Sequence, residues 1–330
     1  MIQKLNLKTV LLAALVALVA FPGLALQASG RRAGAAGQEA ASGRQPEAAA
    51  GQAAAPRLYD VERTKPRGAS DFLGDKNSVD GGLAKSLLQI VEMNVPNATK
   101  IPVLLYHHLV PEADLTPELK KSQETVTVER FRKQMRYLYD HKYYAASVGE
   151  LDLYLRGDLV LPERTVVITF DDGYKSNAEY AYPILKRLKF KAAVFIISSL
   201  IGESGEKKFL GWNDIRQCAD VFTYCSHTHD LHKQRASGLT DFITADRKQV
   251  DKDLARAREI LETSYFAYPH GQASAMAKLA LRTNGFRLAF GTDRAYVGAG
   301  SDPFDLPRFI ITPQVMDDLF EAICGGDAHA

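Results

Sequence analysis

The sequence predicts an α/β fold in which a mostly parallel sheet rolls into a closed or distorted (β/α) barrel, and three observations predict it. From Ile101 onward, short β-branched runs alternate with helical stretches, the pattern of strands joined by crossover helices. Seven or eight such runs fall within roughly 220 residues, the scale of a barrel domain. No glycine-rich phosphate loop follows any of them, which argues against an open dinucleotide-binding sheet.

Before that domain lie three segments. Residues 1–26 carry Lys4 and Lys8 and then an apolar stretch to Leu26, broken only at Pro22 and Gly23. This reads as an export signal with a small-residue cleavage site at Gly23-Leu24-Ala25, or as a retained N-terminal anchor. Residues 27–56 are Ala, Gly, Gln, Ser and Arg with almost no large apolar side chain, too little to offset the entropy of ordering, and are expected to be a disordered linker. Residues 57–100 form an extension in which Leu83 to Met93 has helical spacing.

Residues 101–330 make up the main domain. Its expected strands are Ile101–Tyr106, Tyr144–Val148, Thr165–Phe170, Ala192–Ile197, Val221–Cys225, Tyr265–Tyr268, Leu288–Gly291 and Arg308–Ile311, each short and apolar. Helices are expected over Val128–Asp140, behind Thr127 as N-cap with Arg130 where a capping-box acid would sit, over Asn177–Leu188 and over Arg247–Glu262.

Composition narrows the partners. With 41 basic and 39 acidic residues, the formal charge of +2 gives no cationic field for nucleic acid. Cys218, Cys225 and Cys324 are too few for a disulfide framework and too far from the N-terminus for a lipid anchor. Cys218 and Cys225 either pair in an oxidising compartment or remain buried thiols. A membrane is a partner only through an uncleaved N-terminal segment, and a monomer is expected.

The chemistry gathers at Thr169-Phe-Asp171-Asp172-Gly173, at the end of the Thr165–Phe170 run, and about fifty residues later at His227-Thr-His229-Asp-Leu-His232. Adjacent carboxylates on extended backbone point opposite ways, so one can bind a metal while its neighbour takes a proton. Alone, Asp-Asp-Gly also fits a turn whose acids cap the next helix. Three imidazoles within six residues of a strand end weigh for metal. Two histidines and a carboxylate leave coordination positions open for water and substrate, as a hydrolytic metal requires.

These residues resemble the NodB-type polysaccharide deacetylases, carbohydrate esterase family four, a family of distorted (β/α) barrels. The resemblance covers about Ile101 to Pro313. It implies that Asp171 is the general base and Asp172 a metal ligand. The second family motif, His-Ser/Thr-x-x-His, is here one residue longer, a variant similar to the poly-β-1,6-N-acetylglucosamine deacetylase branch, whose ligands correspond to His227 and His232. His229 is then supporting rather than ligating. In the same branch a Tyr-His strand end reaches the active site; Tyr106-His107 matches it, which makes His107 a candidate general acid alongside protonated Asp171. His108 is expected to point the other way.

Phe266-Ala-Tyr-Pro-His-Gly271 occupies the place of the family's Arg-x-Pro-Tyr-Gly motif and departs from it twice. His270 stands at the tyrosine position, where the family's backbone N–H helps hold the oxyanion, a role independent of side chain. Ala267 stands at the arginine position, leaving the catalytic Asp without its usual partner; Arg308, in Leu306-Pro-Arg308, is the candidate substitute. Tyr268, with Tyr265 and Trp212, is a candidate for stacking on sugar rings, against burial as ordinary core.

The expected activity is therefore hydrolysis of N-acetyl groups on an extracellular amino-sugar polymer by an exported, divalent-metal enzyme. Zinc suits two imidazoles and a carboxylate best, although cobalt, nickel or iron would be accepted. Poly-β-1,6-N-acetyl-D-glucosamine of a biofilm matrix is the expected substrate, with peptidoglycan or chitin as alternatives. A catalytically silent carbohydrate-binding relative is the alternative of another class.

Overall fold

Thr165–Phe170 is buried at all six positions, and the sheet is built around it. A computed structural model describes residues 97–326 apart from residue 206. The expected leader, linker and Leu83–Met93 helix lie outside the described residues. No described helix is long and apolar enough to cross a membrane.

The strands are β1 (Val103–Tyr106), β2 (His108–Val110), β3 (Thr125–Thr127), β4 (Tyr144–Ala146), β5 (Thr165–Phe170), β6 (Ala192–Ile196), β7 (Phe222–Ser226), β8 (Tyr265–Ala267), β9 (Leu288–Phe290) and β10 (Phe309–Ile310). The main sheet runs β10-β1-β5-β6-β7-β8-β9 with every pairing parallel, and β4 pairs with the first half of β5. The segment Leu306 to Ile310 ties the two edges of this curled sheet together. Leu306 bridges to Phe290 of β9, and Phe309 and Ile310 pair with β1. β2 and β3 form a separate parallel pair that the sequence pattern did not reveal.

Alternation along the strands sorts side chains into two layers. On β5, Val166, Ile168 and Phe170 face outward against Phe131, Met135 and Leu138 of α1 (Val128–Asp140). Val167 faces inward, with Val103, Ala193, Phe195, Cys225, Ala267 and Phe290. At the C-terminal ends of the strands the inward series turns polar, and Thr169, Asp171 and His227 continue it.

Helices flank the sheet: α2 (Val148–Leu155), α3 (Tyr182–Leu188), α4 (Trp212–Gln217), α5 (Arg247–Leu261), α6 (Ala275–Thr283) and α7 (Asp317–Gly325). α1 starts where expected, its Thr127 cap accepting from the Arg130 N–H. Val148 begins α2 instead of ending a strand, because Ser147 and Glu150 form a reciprocal capping box. The expected helix Asn177–Leu188 is a π-turn over Asn177–Ala181 followed by α3. Pro183 lacks an N–H and crowds the preceding turn, which a wider turn accommodates. Cys218 and Cys225 are free, buried thiols, so that pairing is not made.

Candidate active site

The site lies at the C-terminal ends of β1, β5, β7 and β8, where a parallel barrel carries its chemistry. Directly after β5, Asp171 continues the inward alternation, while Asp172 turns to φ +71° and Gly173 to φ +80°. That left-handed step sends the two neighbouring carboxylates to different partners.

Asp171 meets Arg308. The guanidinium donates from both terminal nitrogens to the two carboxylate oxygens at 2.7 Å each, and its Nε donates to the Gly291 carbonyl at 2.8 Å. Arg308 is completely buried, lying over the Phe195 and Phe290 rings. Burial alone would raise the Asp171 carboxyl, but the Arg308 charge, helped by His227 and His107, holds it down at about 2. Asp171 is thus a permanently ionised carboxylate at neutral pH.

Asp172 meets the two outer histidines. Its Oδ1 lies 3.6 Å from His227 Nε2 and 3.3 Å from His232 Nε2, and the two Nε2 atoms lie 3.1 Å apart. His227 Nδ1 donates to the Ala267 carbonyl at 2.8 Å, which fixes the tautomer that leaves Nε2 a free lone pair. Burial pushes both imidazoles down to about 4, so both are neutral at pH 7.

This donor set fits a divalent cation. Ligand atoms about 2.0–2.1 Å from a tetrahedral zinc are separated by roughly 3.3 Å, and the three observed separations are 3.1, 3.3 and 3.6 Å. Asp172, His227 and His232 are the one such cluster among the described residues.

The remaining candidates divide. The His270 ring packs beside His232 at 5.0 Å between centroids, and its backbone is left-handed at φ +52°. Gly271 follows at φ +70°, and any Cβ there would overlap the Thr292 side chain. His107 sits between β1 and β2, its carbonyl accepting from Asn177 Nδ2 at 2.8 Å and its Nδ1 buried without a protein partner. The His108 ring lies beside the Tyr174 ring, 5.1 Å between centroids. Tyr268 is a correction: it is fully buried, its hydroxyl donates to the Phe304 carbonyl at 2.8 Å, and it packs on Phe242 and Phe266 outside the barrel. It shares a strand face with Phe266, two residues earlier, and so cannot reach a sugar at the mouth. Trp212 likewise packs against the outer core layer.

Residues 159–289 match the family model described as polysaccharide deacetylase. The chain carries a polysaccharide deacetylase domain. Poly-beta-1,6-N-acetyl-D-glucosamine N-deacetylase of Staphylococcus aureus (strain MSSA476) is 27% identical over 207 residues, covering 60% of this chain and 70% of that protein. A putative polysaccharide deacetylase of Bacillus subtilis, YxkH, is 25% identical over 229 residues, 68% of this chain and 75% of its own. Among solved structures, IcaB from Ammonifex degensii superposes with a TM-score of 0.61 at 27% identity, over 70% of this chain and 99% of that one. The Streptococcus pyogenes deacetylase PplD shares the fold at 23% identity and a TM-score of 0.59, over 69% of this chain and 99% of its own.

Several side chains that support the deacetylase site escaped the sequence pattern. Asn177 holds the His107 carbonyl, Ser198 Oγ lies 3.0 Å from His229 Nδ1, and Lys207 Nζ donates to the Tyr174 hydroxyl at 2.7 Å and pairs with Glu124 at 3.3 Å. Only Tyr174, directly after Gly173, carried a positional signal. The others come from segments with no motif of their own.

Proposed function

We propose that this chain is an exported, divalent-metal-dependent hydrolase that removes N-acetyl groups from poly-β-1,6-N-acetyl-D-glucosamine. The observation that carries the proposal is the division of the two acids: Asp172 with His227 and His232, Asp171 on Arg308. The spacing His227 to His232 and the Staphylococcus relatives of that name support the choice of polymer. The apolar stretch within residues 1–26 supports export.

Asp172, His227 and His232 would hold the cation, with zinc the first choice. A divalent cation there would supply what Asp171 at about 2 cannot: an acidified water and a polarised acetyl carbonyl. Asp171 accepts the proton of the attacking water as the new C–O bond forms. Arg308 keeps that carboxylate ionised and aimed. The backbone N–H at His270 would hold the oxyanion, a role independent of its side chain. Either His107 or the newly protonated Asp171 passes a proton to the amide nitrogen, the C–N bond breaks, and acetate and a free amine leave.

The test is acetate release from defined β-1,6 and β-1,4 N-acetylglucosamine oligomers by metal-stripped and zinc-restored protein. Zinc-dependent release from the β-1,6 series is expected. Release confined to β-1,4 oligomers would move the substrate to chitin-like or peptidoglycan chains, and no release from either would leave a carbohydrate-binding protein.

A further inference from the structure

The apolar stripe of α5 contains an acid. Val250, Asp253, Leu254, Ala257 and Leu261 are its buried positions, and a carboxylate in that series must find partners in the core. Asp253 finds them in the histidine loop. Its Oδ1 accepts the His229 N–H at 2.8 Å and its Oδ2 the Asp230 N–H at 2.7 Å. No metal candidate, substrate-facing group or cation appears among these partners.

The loop needs such support. His227 is anchored to the sheet by its N–H on the Ile196 carbonyl at 2.9 Å, but Thr228 then turns to φ +74°, a conformation a β-branched residue adopts at a cost. From there the backbone must return His232, five positions after His227, to face it. A helical turn would align residues four apart and satisfy its own N–H groups; this loop does neither. The Asp253 carboxylate takes the place of a helix cap supplied from another element. Ser198 and Ser199 hold the opposite side, donating their N–H groups to the Thr228 and His229 carbonyls at 3.1 and 3.0 Å.

We propose that Asp253 is a positioning residue for the cation site, fixing the backbone between His227 and His232 so that both Nε2 atoms converge on Asp172. This rests on the reading that those three residues hold a cation. Asp253 acts through the loop and touches neither substrate nor metal. It belongs with the outer groups whose loss costs metal sites about 10–100-fold in affinity.

The experiment compares zinc affinity, by chelator competition, and the visible spectrum of the cobalt-substituted protein for wild type, Asp253→Asn and Asp253→Ser, each checked as folded by near-ultraviolet circular dichroism. Lys248→Gln, exposed on the same helix, is the control expected to match wild type in both readings. The proposal expects about 10–100-fold weaker zinc binding and an altered cobalt spectrum in the Asp253 variants. Asp253→Ser leaves room for water at the two N–H groups and reads the same quantities should the asparagine fail to fold. Wild-type affinity and spectrum in either folded variant would overturn the positioning role alone. A wild-type protein that binds neither zinc nor cobalt would overturn the cation site and this role with it.

Discussion

Asp171 and Arg308 are separated by 137 positions in sequence yet form a buried, two-pronged ion pair at 2.7 Å. Removing one member of such a pair leaves a stranded charge, so Arg308→Met is expected to destabilise the fold by about 3–5 kcal/mol in urea unfolding. It should also raise the Asp171 pKa. The base must be anionic, so the acid limb of kcat/KM is expected to move to higher pH, whereas loss of fold alone would scale the profile without shifting it. The stability effect has a definite sign. Asp171 is depressed from 3.8 to about 2 in the folded state, so its contribution is complete above pH 4 and is lost as the pH falls toward 2. Tyr268→Phe removes a buried donor from the Phe304 carbonyl and should cost about 1–3 kcal/mol of stability with KM unchanged; because the ring is kept, a raised KM at wild-type stability would instead place the hydroxyl against substrate. Asp171, Asp172, His227 and His232 were legible because strand ends announce themselves by alternation and motif. Arg308 was legible only through the resemblance of Leu306-Pro-Arg308 to the family branch, once Ala267 left the arginine position empty. Tyr268 was open to misreading because an aromatic at a strand end looks alike from either face until Phe266 is seen to share its side.

Elements were read most securely where burial is continuous. β5 has the bounds its β-branched run announced, and α5 ends one residue early because Glu262 adopts the left-handed capping conformation. The misses are elements decided by a few polar atoms. Ser147 ends β4 and starts α2 through its exchange with Glu150, so Ser147→Ala is expected to cost about 1 kcal/mol in unfolding free energy. β2 and β3 are three residues each, too short for periodicity to register. At the site the same lesson recurs: three non-glycine residues with positive φ, Asp172, Thr228 and His270, flank the cluster, while the other three described ones, Lys142, Lys189 and Glu262, sit at helix ends. Such turns come from tertiary constraint, and no local pattern in the sequence calls for them.

At the scale of the molecule, barrel curvature brings parts of the site from opposite ends of the domain. The Leu306–Ile310 segment links β9 to β1 and in doing so carries Arg308 under β5. The alternation of strands and helices predicted a rolled parallel sheet, and its two layers follow from strand pleating. The expected strand Arg308–Ile311 forms as the shorter β10, but its partners lie far off in sequence, so no local pattern announced that Leu306 to Ile310 bridges β9 and β1. The central claim is that the paired acids have separate duties, and zinc titration with acetate-release assays on Asp172→Ala and Asp171→Asn tests it most directly. Asp172→Ala should lose tight zinc binding, while Asp171→Asn should bind zinc as wild type does and release acetate about 10²–10⁴-fold more slowly. Zinc binding retained by Asp172→Ala and lost by Asp171→Asn would contradict the account.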